Sequence, residues 1–176
     1  MIMRIILRLS CWAITIVILA SACNTNGDLT AMRQVDRDFV LRASEANLAQ
    51  IQLAEIAVTR ATTSAVLSFA NQMATEHRSA LDELEELAED KNTAITRSIN
   101  LDHQEIEQKL SIMNGYTFDT AYMKSQILDH EKIIALFETE ISNGNDPKIT
   151  DYALQYLPDI QRNHDRADSI SRLLDQ

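Results

Sequence analysis

The sequence predicts an all-α protein built around four long helices. Its 176 residues include only three glycines and two prolines, whereas 45% are hydrophobic, so helix formers greatly outnumber turn formers. Apolar residues recur at steps of three and four along four segments, which is the spacing of one helix face. We therefore expect one helical-bundle domain over residues 36–176, with a crossover between the second and third long helices that contains a short extra helix.

The first 22 residues are interpreted as a bacterial lipoprotein signal peptide. Arg4 and Arg8 form a positive start, residues 11–20 are a continuous apolar run, and the small residues 20–22 precede Cys23. The run is too short to cross a bilayer comfortably. This order resembles a lipobox, in which the leader is cut before a cysteine that becomes lipidated. The alternative is an ordinary signal peptide, cut near the same position without lipidation.

The leader also predicts where the chain resides. Its removal takes Cys11 away and leaves one cysteine, so no internal disulfide is expected. By resemblance to enterobacterial sorting, Asn24 after the cysteine is compatible with transfer to the outer membrane. Residues 23–35 would then be a lipidated cysteine and a flexible tether. We expect an outer-membrane lipoprotein that faces the periplasm, held to the membrane by its N-terminal lipid.

The charge of the chain bears on its partners. Without the two arginines of the leader, 14 basic residues remain against 26 acidic ones, a net charge of −12. Such a surface repels phosphate backbones, so nucleic acid is excluded as a partner.

Helix ends are predicted from capping residues and turn formers. Thr62, Thr63 and Ser64 form a capping cluster, Asp102 with Glu105 resembles a capping box, and Asp146 before Pro147 supplies a cap and a first-turn proline. The helices are expected at residues 36–60, 64–91, 102–113 and 117–143, and from residue 147 onward. Pro158 falls inside the last helix, where it removes one backbone hydrogen bond and is expected to produce a kink.

Three histidines lie on the apolar stripes of three different helices. His77, His130 and His164 are each within about three residues of the midpoint of their helix, which is roughly 4 to 5 Å along its axis. Gln50 occupies the same height on the first helix. Positions at mid-height meet whichever way each helix points, so we expect these four side chains to form a buried central cluster.

Five short motifs occur in order along the predicted helices. They are Asp38-Phe39-Val40, Phe69-Ala70 with Met73 and His77, Phe118-Asp119 with Tyr122, Asp129-His130-Glu131, and Leu157-Pro158 with His164. With these motifs the chain resembles, from about residue 36 to residue 173, the bacterial envelope family known as domain of unknown function 4142. The resemblance implies a ferritin-like four-helix bundle with a long crossover and implies no established activity. Gln50 and Gln52 stand where relatives often have glutamate, and Asp119 and Pro158 are expected to have structural roles.

A ferritin-like di-iron site is not expected from these residues. Such a site needs a glutamate from each of two helices and a Glu-x-x-His pair from each of the other two. The positions three before the histidines are Ala74, Ile127 and Gln161, so the pairs do not exist.

Three interpretations of the central cluster remain open. The histidines can be core residues satisfied by hydrogen bonds to Gln50, Tyr122 or Tyr156, ligands of a transition metal, or a pH-responsive core. His103 lies on the crossover and is expected to be exposed.

Two classes of function follow from these interpretations. One is a lipid-anchored binding or structural module of the envelope, and the other is a metal-binding or redox protein. No nucleophile with a base, phosphate-binding glycine loop or two-cysteine motif is present, so an enzyme is not expected.

Overall fold

The computed structural model describes residues Met32–Gln176. This part of the chain contains five α-helices and no strand, which confirms the all-α prediction. The predicted signal peptide, Cys23 and most of the predicted tether lie outside the described residues. No helix in the described part is long and apolar enough to cross a membrane. The helices are α1 (Gln34–Arg60), α2 (Ser64–Asp90), α3 (Leu101–Ser111), α4 (Gly115–Asn143) and α5 (Pro147–Leu174).

The four long helices pack as two hairpins. A three-residue turn joins α1 to α2 and another joins α4 to α5, so each pair is antiparallel and in contact along its length. The hairpins meet through α1 on α4 and α2 on α5, while α3 lies in the crossover against α1 and α4. The result is a helical bundle with one face of α1 and α4 covered by the crossover.

The core of the bundle consists of two apolar clusters, one toward each end. One cluster includes Phe69, Met73 and Tyr122, and the other includes Phe39 and Phe137. Between them, several buried positions near the midpoints of the helices are polar. We call this set the polar layer, and its members are Asn47, Gln50, His77, Gln126 and His130.

Helix starts agree with the predicted caps at two of three places. The Thr63 hydroxyl accepts the Val66 N–H at 3.4 Å, and the Asp146 carboxylate accepts the Lys148 N–H at 3.0 Å. The prediction of Asp102 as a cap is wrong, because the N-cap residue is Asn100, whose side-chain oxygen accepts the His103 N–H at 2.9 Å. The α1 and α4 helices each begin two residues earlier than expected.

Pro158 lies within α5, which runs through it from Pro147 to Leu174. Because proline has no N–H, the carbonyl of Leu154 lacks its usual helical partner. The kink expected at this residue stays a prediction.

Candidate functional site

A chain of hydrogen bonds determines which ring nitrogen of His77 carries the proton. The Tyr152 hydroxyl donates to the Ala80 carbonyl at 3.0 Å, so its oxygen is free to accept from the Asn47 Nδ2 at 3.4 Å. This orientation presents the Asn47 Oδ1 to the His77 Nδ1, 2.8 Å away. An amide oxygen only accepts, so the Nδ1 of His77 carries the proton and its Nε2 carries a bare lone pair.

His130 has the same tautomer for a simpler reason. Its Nδ1 lies 2.8 Å from the backbone carbonyl oxygen of Gln126, one turn earlier on α4. A carbonyl oxygen accepts only, so Nδ1 donates and Nε2 is again bare. The ring is fully buried, and its centroid lies 5.9 Å from that of His77 and 6.4 Å from that of Phe69.

Both rings are neutral. Burial, and then the neighbouring His130, lower the pKa of His77 to about 3. Burial also lowers the pKa of His130, against the opposing effects of its hydrogen bond to Gln126 and the charge of Asp129. Neither Nε2 has a hydrogen-bond partner within residues 32–176. The polar layer therefore contains two adjacent imidazoles, each with an unpaired acceptor nitrogen.

Other members of the polar layer are also incompletely bonded. The Gln50 Nε2 donates to the Asp129 Oδ2 at 3.5 Å, while its Oε1 has no partner within residues 32–176. Both side-chain polar atoms of Gln126 also lack partners there, as does the hydroxyl of Tyr122 in the adjoining apolar cluster. Buried polar atoms in native proteins are nearly always satisfied by protein, water or a ligand. Such a concentration at one height marks this layer as the candidate site.

Of the three histidines expected to converge, the structure brings His77 and His130 into one pair, with ring centroids 5.9 Å apart. The side chain of His164 is 25% exposed, and its ring nitrogens lie 3.7 Å from a Glu131 carboxylate oxygen and 3.2 Å from an Asp165 one. Within residues 32–176, no group of three or more His, Cys, Asp and Glu side chains is placed to hold a metal. His164 lies at the edge of this pair, close enough for its charge to act on His130, and its Nε2 is also buried without a hydrogen-bond partner within residues 32–176.

On α1, Gln50 was predicted to belong to the central cluster but Asn47 was not. Asn47 lies one turn earlier and makes the 2.8 Å contact with His77. Gln50 is fully buried and bonds to Asp129 instead.

His103 is buried, so the expectation of an exposed crossover histidine is wrong. Its Nδ1 lies 2.8 Å from the Glu45 Oε1, and its Nε2 lies 3.4 Å from the Asp129 Oδ2. Burial lowers the pKa of His103, but the hydrogen bonds and charges of Asp129 and Glu45 outweigh it and raise the pKa overall. This contact fastens α3 to α1 and α4, and it occupies the Asp129 carboxylate.

Asp119 holds the turn between α1 and α2 from across the bundle. The carboxylate is fully buried and accepts the Thr62 N–H at 3.0 Å, the Thr62 hydroxyl at 2.8 Å and the Thr63 N–H at 2.8 Å. It thus satisfies backbone donors just before the first turn of α2, where the helix dipole also favours a negative charge.

A surface cavity of about 310 Å³ between α2 and α5 reaches the polar layer. His77 and Asn47 line its inner part, and Tyr156 and Asn163 line its walls. Two acidic residues border the cavity. They are Glu76, whose carboxylate accepts from Gln72 and Asn163 at 2.7 Å each, and Asp159.

These features define the chain as an all-helical bundle domain with a polar layer in its core. A family model described as a domain of unknown function, DUF4142, matches residues 22–170. The chain belongs to this family, as its sequence motifs predicted.

Comparison with solved structures supports the fold. The structure described as a DUF305 fragment from Deinococcus radiodurans matches with a TM-score of 0.72 and 14% sequence identity, covering 80% of this chain and 97% of that chain. At this identity the likeness concerns the fold alone. No curated protein matches the chain.

Proposed function

We propose that this chain is a lipid-anchored binding module of the bacterial outer membrane, facing the periplasm. The apolar run of residues 11–20 and the small residues before Cys23 support the anchor. The first helix begins at Gln34, so the ten residues 24–33 supply a polar tether between the lipid and the bundle. The acidic balance of the chain favours a position in solution above an anionic surface rather than on it.

We further propose that the bundle is of the ferritin-like four-helix type. Two antiparallel hairpins joined by a crossover with its own short helix support this assignment. The chain does not fit the di-iron chemistry of such folds. On α1, Gln50 stands where relatives often have glutamate, and the residues three before the histidines are Ala74, Ile127 and Gln161. The carboxylates that would bridge and charge-balance two iron ions are not supplied there.

The observation that carries a binding role, rather than a purely structural one, is the cavity between α2 and α5. It connects the surface to His77, which has an unpaired nitrogen, and it is bordered by the acidic Glu76 and Asp159. A concave site with a few convergent polar groups is the usual form of a ligand pocket. Its lining favours a small polar or cationic ligand.

The anchor is tested by Cys23→Ser. We expect this change to abolish labelling by a fatty-acid analogue and to release the protein from the membrane fraction, because the two or three acyl chains of a bacterial lipoprotein are what make attachment stable. Labelling and membrane fractionation in cells are the measurements.

Cys11→Ser is the matched control, since it removes the other cysteine from within the leader. It should leave labelling and fractionation unchanged. Labelling that persists in the Cys23→Ser protein would show that the anchor is misassigned.

A further inference from the structure

Two neighbouring imidazole rings in the core each have a bare nitrogen that no group within residues 32–176 binds. The Nε2 atoms of His77 and His130 are buried and unpartnered, and their Nδ1 atoms are committed as donors to Asn47 and to a backbone carbonyl. Metal-binding histidines are held in this way, with the second nitrogen donating to a carbonyl or amide oxygen. We propose that His77 and His130 together bind one soft monovalent cation, namely Cu(I).

The separation of the rings suits a shared ion. A metal–nitrogen bond of about 2.0 to 2.1 Å places the centre of an imidazole ring about 3 Å from the ion. Two rings on one ion in a near-linear arrangement are therefore up to about 6 Å apart between centres. The centroids of His77 and His130 are 5.9 Å apart.

The charge and number of donors select the kind of ion. Zinc sites in proteins use at least three protein ligands, and residues 32–176 contain no such group of His, Cys, Asp and Glu. The nearest carboxylates are already engaged, Asp129 with His103 and Lys132, and Glu76 with Asn163. Two neutral imidazoles contribute no charge, so only the nearby charges of Asp129 and Glu76 balance the ion, and burial penalises a divalent ion far more than a monovalent one. A soft monovalent ion that accepts two nitrogen ligands fits this environment.

The structure also provides a route and a positioning residue. The cavity between α2 and α5 leads from the acidic Glu76 and Asp159 at the surface to His77, so cations are attracted to its mouth. Asn47 fixes the tautomer of His77 and therefore the direction of its lone pair. It acts through His77 and is a positioning residue.

This inference deepens the proposed binding function and does not depend on the lipid anchor. It is tested on the full chain, solubilised in detergent, without a histidine tag, under anaerobic conditions, by titrating Cu(I) against a competing chelator. We expect one Cu(I) per chain and an X-ray absorption spectrum with a low coordination number and nitrogen ligands. His77→Gln and His130→Gln should each weaken binding by more than about 100-fold, since loss of a ligand costs more than loss of its supporting residue. Asn47→Leu should weaken it about 10- to 100-fold.

His103→Gln and His164→Gln are matched controls, because each removes a histidine outside the pair, and both should keep the affinity of the wild type. Thermal unfolding without metal shows whether each variant is folded. If a histidine variant does not fold, Asn47→Leu still tests the proposal, because it leaves both histidines in place. The proposal is overturned if the wild type does not bind Cu(I) stoichiometrically, if folded His77→Gln binds as tightly as the wild type, or if His164→Gln loses binding to the same extent. If the wild type does not bind Cu(I) but is labelled at Cys23, this inference alone is overturned. If it binds Cu(I) but is not labelled at Cys23, the lipid anchor alone is overturned.

Discussion

Replacing Asp119 with alanine is expected to lower the free energy of unfolding by about 3 kcal/mol. The carboxylate is fully buried and accepts hydrogen bonds from both Thr62 and Thr63, so its removal leaves a cavity and releases the donors that begin α2. Hydrogen bonds to charged groups contribute more than neutral ones, which makes this site more sensitive than an ordinary helix cap. Chemical denaturation followed by circular dichroism measures the change.

Asp151→Ala is the control for this experiment, because Asp151 is an exposed aspartate on α5. It should change stability by less than about 0.5 kcal/mol, as surface substitutions usually do. If the Asp119 variant were as stable as the Asp151 variant, the carboxylate would not be what secures the turn between α1 and α2.

Glu140→Gln is expected to stabilise the protein at pH 8 by about 2 to 3 kcal/mol. Glu140 is 1% exposed, and its neighbour Asp36 is fully buried and accepts backbone N–H groups from Asn145 and Asp146. Burial, and then the Asp36 charge, raise the pKa of Glu140 to about 7. Burial would also raise the pKa of Asp36, but its backbone hydrogen bonds lower it overall. The pair therefore shares one proton, held on Glu140.

The sign of the pH dependence follows from the raised pKa. Below the ordinary value of 4.5, Glu140 is protonated in both the folded and the unfolded chain. As the pH rises toward 7, the unfolded chain loses this proton and the folded protein keeps it, so the contribution to stability falls through this range and is lost above it.

Glutamine imitates the protonated acid at every pH and should flatten this part of the stability profile. Glu138→Gln, at an exposed position two residues earlier on α4, should leave the profile unchanged. A Glu140→Gln protein with the same slope between pH 4.5 and 7 as the wild type would show that the carboxyl pair does not titrate in this way.

Local sequence signals were sufficient to predict where the long helices begin and end to within a few residues. Caps such as Asp146 before Pro147 act within one turn, so they can be recognised without knowledge of the tertiary fold. The start of α3 in the crossover was harder to predict, because Asn100 and Asp102 are both good N-cap residues and only the tertiary path of the chain determines which of them is used. Family motifs and the scarcity of turn formers were enough to predict an all-helical bundle.

The site was less predictable because each helix was assumed to bury a single stripe. Asp129 and Glu45 lie off the stripes of α4 and α1, so periodicity alone does not predict that they are buried or half-buried. The crossover covers that side of both helices with His103, so these residues are buried or half-buried and bonded. The sequence feature that could have indicated this contact was a histidine on the crossover together with acidic residues off the main stripes of α1 and α4. His164 was predicted from height and stripe, but an edge position on α5 leaves it partly exposed.

The tautomer of the buried histidine pair tests the account of the polar layer most directly. A long-range proton–nitrogen correlation spectrum of ¹⁵N-histidine-labelled protein at pH 7, assigned with His77→Gln and His130→Gln, reports which ring nitrogen carries the proton. We expect both His77 and His130 to be neutral, with the proton on Nδ1 and a bare Nε2, and we expect Asn47→Leu to alter His77 alone. A doubly protonated ring, or a proton on Nε2 of either histidine, would contradict the polar layer described above.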